Sequence, residues 1–525
     1  MKKKKMKRKD KEDKKNKRNK KNIKNNHRKK AGKISREYIF IILLFCIVLG
    51  ARLAMVLSDE GFDYNAYNTL RQAEHIKETG VPLFKDPLSY SGRTTTFPPL
   101  FYYVLALFSL VLPLTLVAKL IPSIGFASLV LVIYVIARYT TKNRIAAFIA
   151  AFFAGFVPII YTTLDQASVY SLSLPLIFLL SYTFLRIEEK GFAMWSIILI
   201  VLLLLTHTSV FILLISFLVY FLILKLGRHK INIKEVEVTL FLLFLALWFN
   251  LLLYKKAFFL HGVTFIWQNI PAPLLSSYFM ELSFIGVIYA VGVIPLLLGV
   301  YAVYHTLFKT RNKAASLYIS FALISFMMLW LKLIPFTTGL LFLSMNLIIL
   351  SASSTKLVLV NLSKTKKPGL SKIAIILIGI LFILTTITPL ISTLTLTTTK
   401  PPAQDLHALE WIKENTKETD VILGRAEEGF LITYAAERKN VADNNFMFIK
   451  NINQRYHDVN SLFTLRLKSE AIRLTSKYDI DYVLLSTKSM GEYGINTLFY
   501  AEEDCFEVVY DKDALIYEIL RCEVE

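Results

Sequence analysis

Three carboxylates stand where chemistry would need them: Asp63 in DEGFDYNAY, Asp165 in YTTLDQASVY and Glu281 in SSYFMELSF. Each lies at the end of a long apolar run, where a carboxylate is costly to desolvate unless it is paired or bound to a metal. Oxygen ligands drawn from separate loops suit Mg²⁺ or Mn²⁺, and an ion so held neutralises a phosphate leaving group. A further carboxylate would activate or orient an acceptor. Asp59 and Glu60 precede Asp63 and read as solvated loop charges or as substitutes for it. His207, in LLLTHTSVF, and Lys332, in LKLIPF, add two groups at neighbouring turns. Each residue also has a plain reading. Asp165 and Glu281 are placed to cap the helices that follow them. His207 has the setting of a hydrogen-bonded interfacial residue, and Lys332 that of a snorkelling lysine. A shared site requires that they meet on one face.

The elements that carry them decide this. The chain has 525 residues, 54% of them hydrophobic. Its apolar runs of about 20 residues are those of a polytopic α-helical membrane protein and exclude a soluble one. Eleven transmembrane helices are expected, near 38–57, 115–137, 145–161, 168–185, 193–206, 209–225, 237–254, 284–305, 315–331, 336–352 and 372–392. With the N-terminus in the cytoplasm, the clusters Arg138/Lys142/Arg144, Arg186/Lys190, Lys225/Arg228/Lys230/Lys234, Lys309/Arg311/Lys313 and Lys356/Lys364/Lys366/Lys367/Lys372 all fall in cytoplasmic loops. The opposite loops near 162–167, 207–208 and 332–335 hold one cation, Lys332. This parity describes a multi-pass protein of the cell (plasma) membrane with an extracytoplasmic C-terminus. It also brings the three acids, His207 and Lys332 to the outer face. No span interior shows the ionisable groups or paired broken helices expected of a transporter.

Three regions follow: a basic tail (1–36), a membrane domain (37–395) with a large first outer loop (58–114), and an outer domain (396–525). The tail holds 20 Lys/Arg against three acids, a net +17. It is expected to be disordered and to touch anionic lipid headgroups; nucleic acid is not an expected partner. In the first outer loop, residues 63–79 read as an amphipathic helix ended by Gly80 and Pro82. FPPLFYYVLALFSLVLP reads as an interfacial or re-entrant helix, because counting it as a span would invert every later loop. From Lys400 onward the charge reverses, with 15 Lys/Arg against 23 Asp/Glu. There DLHALEWIKENT reads as a helix, DVILG as a strand, 465–477 as a helix, DYVLLS as a strand, and FEVVY and LIYEIL as a hairpin. Alternating helix and strand predict a small α/β domain. Cys505 and Cys522 both fall in it and are free to pair or not.

The layout resembles the C-type integral-membrane glycosyltransferases, in particular the catalytic subunit of archaeal and eukaryotic oligosaccharyltransferase. The resemblance covers most of the chain after the tail. It rests on the acid-bearing first outer loop, LRQAE, DPLSY…R…FPPLFYY, Asp165, Glu281 and the outer α/β domain. It implies a divalent metal held by Asp63, Asp165 and Glu281, with Asp63 and Glu281 catalytic, and Lys332, Arg71 and His207 around the donor phosphate. The implied donor is a sugar or oligosaccharide on a polyprenyl (dolichyl) phosphate, kept in the lipid bilayer; the acceptor is a protein, lipid or glycan. Two departures are specific. Asp63 lies eight residues before Arg71, and Asn65 holds the six-residue spacing of the family. The oligosaccharyltransferase motif WWDYG is replaced by RAEEG, so that Glu427, Glu428 and Gly429 form the acceptor region. The alternative from another class is a non-catalytic scaffold of the same fold that binds a glycan or a partner.

Overall fold

The computed structural model describes residues 36–58, 61–279, 283–310, 312–365, 369–395, 400–501 and 505–520. The basic tail up to residue 35, Asp59, Glu60, Glu281 and Cys522 lie outside the described residues.

The membrane domain is a bundle of apolar helices: α1 (Arg36–Leu57), then, after the first long loop with its α2 (Ala66–Thr79) and α3 (Leu100–Ser109), α4 (Leu114–Thr141), α5 (Arg144–Phe156), α6 (Tyr170–Leu185), α7 (Phe192–Thr206), α8 (Val210–Leu226), α9 (Ile233–His261), α10 (Phe284–Val291), α11 (Val293–His305), α12 (Lys313–Trp330), α13 (Phe336–Ser363) and α14 (Leu370–Thr395). Seven helical stretches are long and apolar enough to cross a membrane, and four of the other apolar helices, α5 to α8, are shorter. Every expected span coincides with one of these helices, except that the eighth is split. Gly292, at φ 83° and ψ 144°, separates α10 from α11, and Pro295 follows. FPPLFYYVLALFSLVLP forms only the ten residues of α3. At 1.5 Å per residue that is about 15 Å, half a bilayer core.

The bundle is organised around α13, which is 83% buried over its apolar window. Its small polar residues turn inward and donate to backbone carbonyls. Ser344 donates to Leu340 O at 2.6 Å and Asn346 to Phe342 O at 2.7 Å, while Ser354 reaches across to Leu298 O of α11 at 2.7 Å. Such residues let helix backbones approach closely where lipid offers no hydrophobic drive. Among the described residues, Arg52 and Lys119 are buried cations on bundle helices, and the first lies deep in a span against expectation. Arg52 of α1 is fully buried, donates to Ile160 O at 2.7 Å, and stacks on Phe126 and Tyr161.

In the long loop, α2 buries Ala66, Tyr67, Leu70, Ala73 and Ile76, one face at helical spacing. It ends at Gly80, whose left-handed φ of 78° lets its N–H return to Ile76 O. The helix starts at Ala66 rather than at residue 63. Asp63 Oδ1 accepts from the Asn65 N–H at 2.8 Å, and this side-chain turn competes with helix. The strand pair β1 (Lys85–Asp86) and β2 (Arg93–Thr94) closes the loop.

The C-terminal domain begins with α15 (Ala403–Asn415) and builds one sheet from β3 (Val421–Leu423), β4 (Lys439–Asn440), β5 (Tyr482–Leu485), β6 (Phe506–Asp511) and β7 (Leu515–Ile519). The order is β4-β3-β5-β7-β6, parallel from β4 to β5 and antiparallel thereafter. The expected helix at 465–477 is two elements, α16 (Ile452–Thr464) and α17 (Lys468–Lys477), and α18 (Thr487–Tyr493) follows β5. Cys505 is buried in the domain core and disulfide-bonded.

The long loop and the domain share cores rather than merely touching. Phe62, Tyr64, Tyr67 and Leu70 pack with Leu409, Ile412, Ile422, Phe430 and Leu431. Burial of side chains of this size is worth roughly 1.5–3 kcal/mol each, so Asp63 is carried on a firmly seated strip.

Candidate functional site

The two described acids of the predicted metal set meet. The backbone N–H of Asp63 donates to the Asp165 carbonyl at 3.1 Å, joining the first long loop to the turn after α5. Asp63 is buried, with 8% of its surface exposed. Burial pushes its carboxyl above the ordinary range and nearby Asp165 adds to this, while hydrogen bonds from Asn65 and the charge of Lys488 oppose it. Asp165 is paired with Lys400 at 3.1 Å, at the entrance to the C-terminal domain.

From the domain, α18 places Lys488 over the Tyr64 ring at 4.4 Å, where it also pairs with Glu427 at 3.3 Å. Glu427 in turn meets Arg425 at 2.9 Å, and Arg425 reaches Glu492. Lys488 thus lies within electrostatic reach of Asp63 while it pairs with Glu427 of RAEEG. Glu428 behaves differently from its neighbour. It is buried, accepts from the Arg425 N–H at 3.0 Å and from the Ser486 and Ser489 hydroxyls, and burial raises its carboxyl to about 7. Gly429 has no room for a side chain: a Cβ would stand 2.0 Å from Ala442 O. RAEEG is therefore a packed turn with one carboxylate outward and one inward, and Gly429 supports it from behind.

Glu281 lies outside the described residues. Tyr278, three residues before it, lies within electrostatic reach of Glu427, Asp443 and Asp63. The three residues expected around a donor phosphate are each held by contacts of their own. Arg71 forms a two-pronged pair with Asp86 at 2.8 and 2.7 Å, and Asp86 also caps the Leu88 and Ser89 N–H groups. His207 closes α7, accepts from the Ser209 N–H at 3.0 Å and packs edge-on to Tyr170. Lys332 sits exposed in the turn between α12 and α13, its carbonyl accepting from Trp267 Nε1 at 3.0 Å.

The spacing of Asn65 acquires a role here. Its side chain accepts from Asn444 Nδ2 at 3.1 Å, so the residue at the six-residue spacing holds the domain while orienting Asp63. Lys400, Lys488 and Asn444 are residues of this region that sequence reading missed. Their partners are distant in sequence and no local motif announces them.

The chemistry of the donor set fits a hard divalent cation in part. Asp63 and Asp165 offer anionic oxygens from two elements, though no group of three or more potential ligands occurs among the described residues.

The fold is that of the C-type membrane glycosyltransferases. The oligosaccharyltransferase of Archaeoglobus fulgidus, tethered to an acceptor peptide containing the NVT sequon, matches with a TM-score of 0.66 at 16% identity, over 86% of this chain and 69% of that one. The same enzyme in complex with Zn and sulfate matches at 0.61 and 17%, over 88% and 71%. ArnT from Cupriavidus metallidurans, bound to undecaprenyl phosphate, matches at 0.57 and 11%, over 92% and 98%. No protein-family model and no curated protein sequence matches the chain.

Proposed function

We propose that the protein is a glycosyltransferase that takes a sugar or oligosaccharide from a polyprenyl (dolichyl) phosphate or pyrophosphate and transfers it on the extracytoplasmic face of the cell membrane. One observation carries the reading: the backbone N–H of Asp63 bonds the Asp165 carbonyl at 3.1 Å, and the Asp63 carboxyl lies within electrostatic reach of Asp165 and of Lys488 from the C-terminal domain. The fold supports it, and so do the lipid phosphate and acceptor peptide bound by its structural neighbours.

The reaction is a displacement at the anomeric carbon. The bond from that carbon to the phosphate oxygen breaks, a bond to the acceptor forms, and the acceptor gives up its proton. Asp63 and Asp165, with Glu281 as the third expected ligand, are the residues to hold Mn²⁺ or Mg²⁺, which supplies neutralisation of the departing phosphate. Asp63 is buried and oriented by Asn65, so it is fixed before substrate arrives. Glu427, on the exposed side of RAEEG, steers the acceptor. A charged turn gives no apolar floor for a peptide, which favours transfer to a lipid or glycan over asparagine-linked protein glycosylation. Lys332, Arg71 and His207 remain the proposed donor-phosphate set. Arg71 would serve it indirectly, by fixing the loop through Asp86.

A second reading has its own observation. Lys400 already neutralises Asp165 at 3.1 Å, as a scaffold without a metal would require. The two separate in one assay, in which purified protein is incubated with polyprenyl-phosphate sugars and Mn²⁺. Transfer or donor hydrolysis lost with EDTA and with Asp63→Ala supports the enzyme. Donor binding without turnover supports the scaffold.

A further inference from the structure

Where the first long loop meets the C-terminal domain lies a cavity of 730 Å³, formed by that loop, the end of α9 and the start of α16. Its lining holds Arg93, Lys255, Lys256, Lys450 and Arg455, and among the described residues no carboxylate. Arg93 is neutralised by Asp443 behind it, at 3.0 Å. The other four pair with no described acid. Arg455 and Arg93 flank Tyr90, with guanidinium carbons 5.0 and 4.9 Å from the ring centroid, and the Nε of each is buried without a hydrogen-bond partner. Like charges gathered in this way repel one another, and burial lowers the Arg455 guanidinium from its ordinary range. An anion would relieve both.

The position along α9 shows where the anion comes from. The charge-free part of the helix runs from Val238, past Lys234, Glu235 and Glu237 at the basic end of the bundle, to Tyr254, about 24 Å, close to the thickness of a hydrocarbon core. Lys255 and Lys256 then stand at headgroup depth, just beyond Leu252 and Leu253 of the cavity's apolar lining.

We propose that this cleft binds the phosphate of a membrane lipid from the leaflet on the domain side, with the lysines and Arg455 on the phosphate and the lipid chain along the leucines. The site is distinct from the Asp63 site, since its lining includes none of Asp63, Asp165, Lys488 or the RAEEG turn. It does not depend on the glycosyl-transfer reading, since a chain inert in every transfer assay would still retain the lipid. A bulk anionic phospholipid and a polyprenyl phosphate offer the same chemistry.

The test uses full-length protein in phosphatidylcholine nanodiscs doped with phosphatidylglycerol or with undecaprenyl phosphate, and a third arm with inorganic phosphate alone. Retained lipid is read by native mass spectrometry. The lysines are exposed, so K255Q/K256Q/K450Q is expected to fold and to weaken retention about tenfold or more; R455Q tests the buried cation separately. Restoration by K255R/K256R/K450R is expected, as is no change in K225Q/K230Q/K234Q at the opposite end of the bundle. Preference for one dopant identifies the source. Equal retention by the site triple, R455Q and the control overturns the proposal, as does retention of inorganic phosphate to the same extent as lipid.

Discussion

Two seams join the first long loop to the C-terminal domain, and their carboxylates are treated in opposite ways. At the first, Asp443 is fully buried and saturated: Arg93 grips both oxygens at 3.0 and 3.2 Å, the Ser89 hydroxyl donates at 2.5 Å and the Asn445 N–H at 2.9 Å. Leu88 O and the Tyr90 N–H extend it into a ladder with Asn440, at 3.0 and 2.7 Å. At the second seam, Asp63 receives its hydrogen bonds from its near neighbour Asn65, and its nearest cation, Lys488, is occupied with Glu427. A buried charge with every lone pair satisfied fixes a structure. A buried charge left under-coordinated retains affinity for something else. The first seam is the hinge pin; the second is the place to look for chemistry.

The largest expected effect breaks the first seam. Arg93→Ala leaves Asp443 buried and unpaired, which costs roughly 3–5 kcal/mol. The thermal midpoint in detergent should fall sharply, and hydrogen exchange should rise in 84–96 and 439–446 together. Exchange confined to one of the two segments would show that the seam is not a single unit. At the second seam the same kind of change should do the reverse. Asp63→Asn removes a charge whose burial is unfavourable, so the midpoint should hold or rise, while transfer falls by about 10²–10³-fold if Asp63 acts on developing charge. Loss of stability and activity together would make Asp63 a second pin.

The pH dependence sharpens the contrast. The Glu428 carboxyl is raised to about 7 by burial, against an ordinary value of 4.5. The folded state therefore holds a proton that the unfolded state has released between those values. Stability should climb as pH falls from about 7 toward 4.5, by at most about 3 kcal/mol. Asp405, also raised by burial, adds to the same slope. Glu428→Gln should flatten the midpoint-against-pH curve in this window. An unchanged slope would place the titration elsewhere.

The two seams also differ in how far the sequence announces them. Asp63 and Asp165 are legible because a carboxylate beside a membrane span is expensive, and loop parity alone brings them to one face. The bundle is legible for the same reason, each apolar run becoming a helix. The strands DVILG and DYVLLS and the FEVVY–LIYEIL hairpin form as their β-rich runs imply. The Arg93–Asp443 pin is invisible, because its partners are 350 residues apart and each reads as an ordinary loop charge. Arg52 was hidden by its surroundings: one arginine within an apolar run scarcely alters hydropathy, and only packing reveals Phe126 and Tyr161 around it. The break at Gly292 is equally quiet, because α10 and α11 together have the length of one span.

The smallest effect is the most discriminating. Lys400 and Asp165 form a pair with 10% and 27% of their side chains exposed, a setting in which ion pairs contribute about 0–1 kcal/mol. Lys400→Gln should therefore leave the thermal midpoint almost unmoved. Its consequence should appear in metal affinity, because the ammonium stands where a divalent ion would draw on the same carboxylate. If Asp63 and Asp165 hold the metal, the substitution should tighten Mn²⁺ binding, read by the loss of the free-ion signal in electron paramagnetic resonance, and Asp165→Asn should cancel the gain. Weaker binding would instead mean that Lys400 orients Asp165 toward the ion. Absence of Mn²⁺ binding in both proteins would make the lysine the resident cation of this seam, and the second seam would then be a pin like the first.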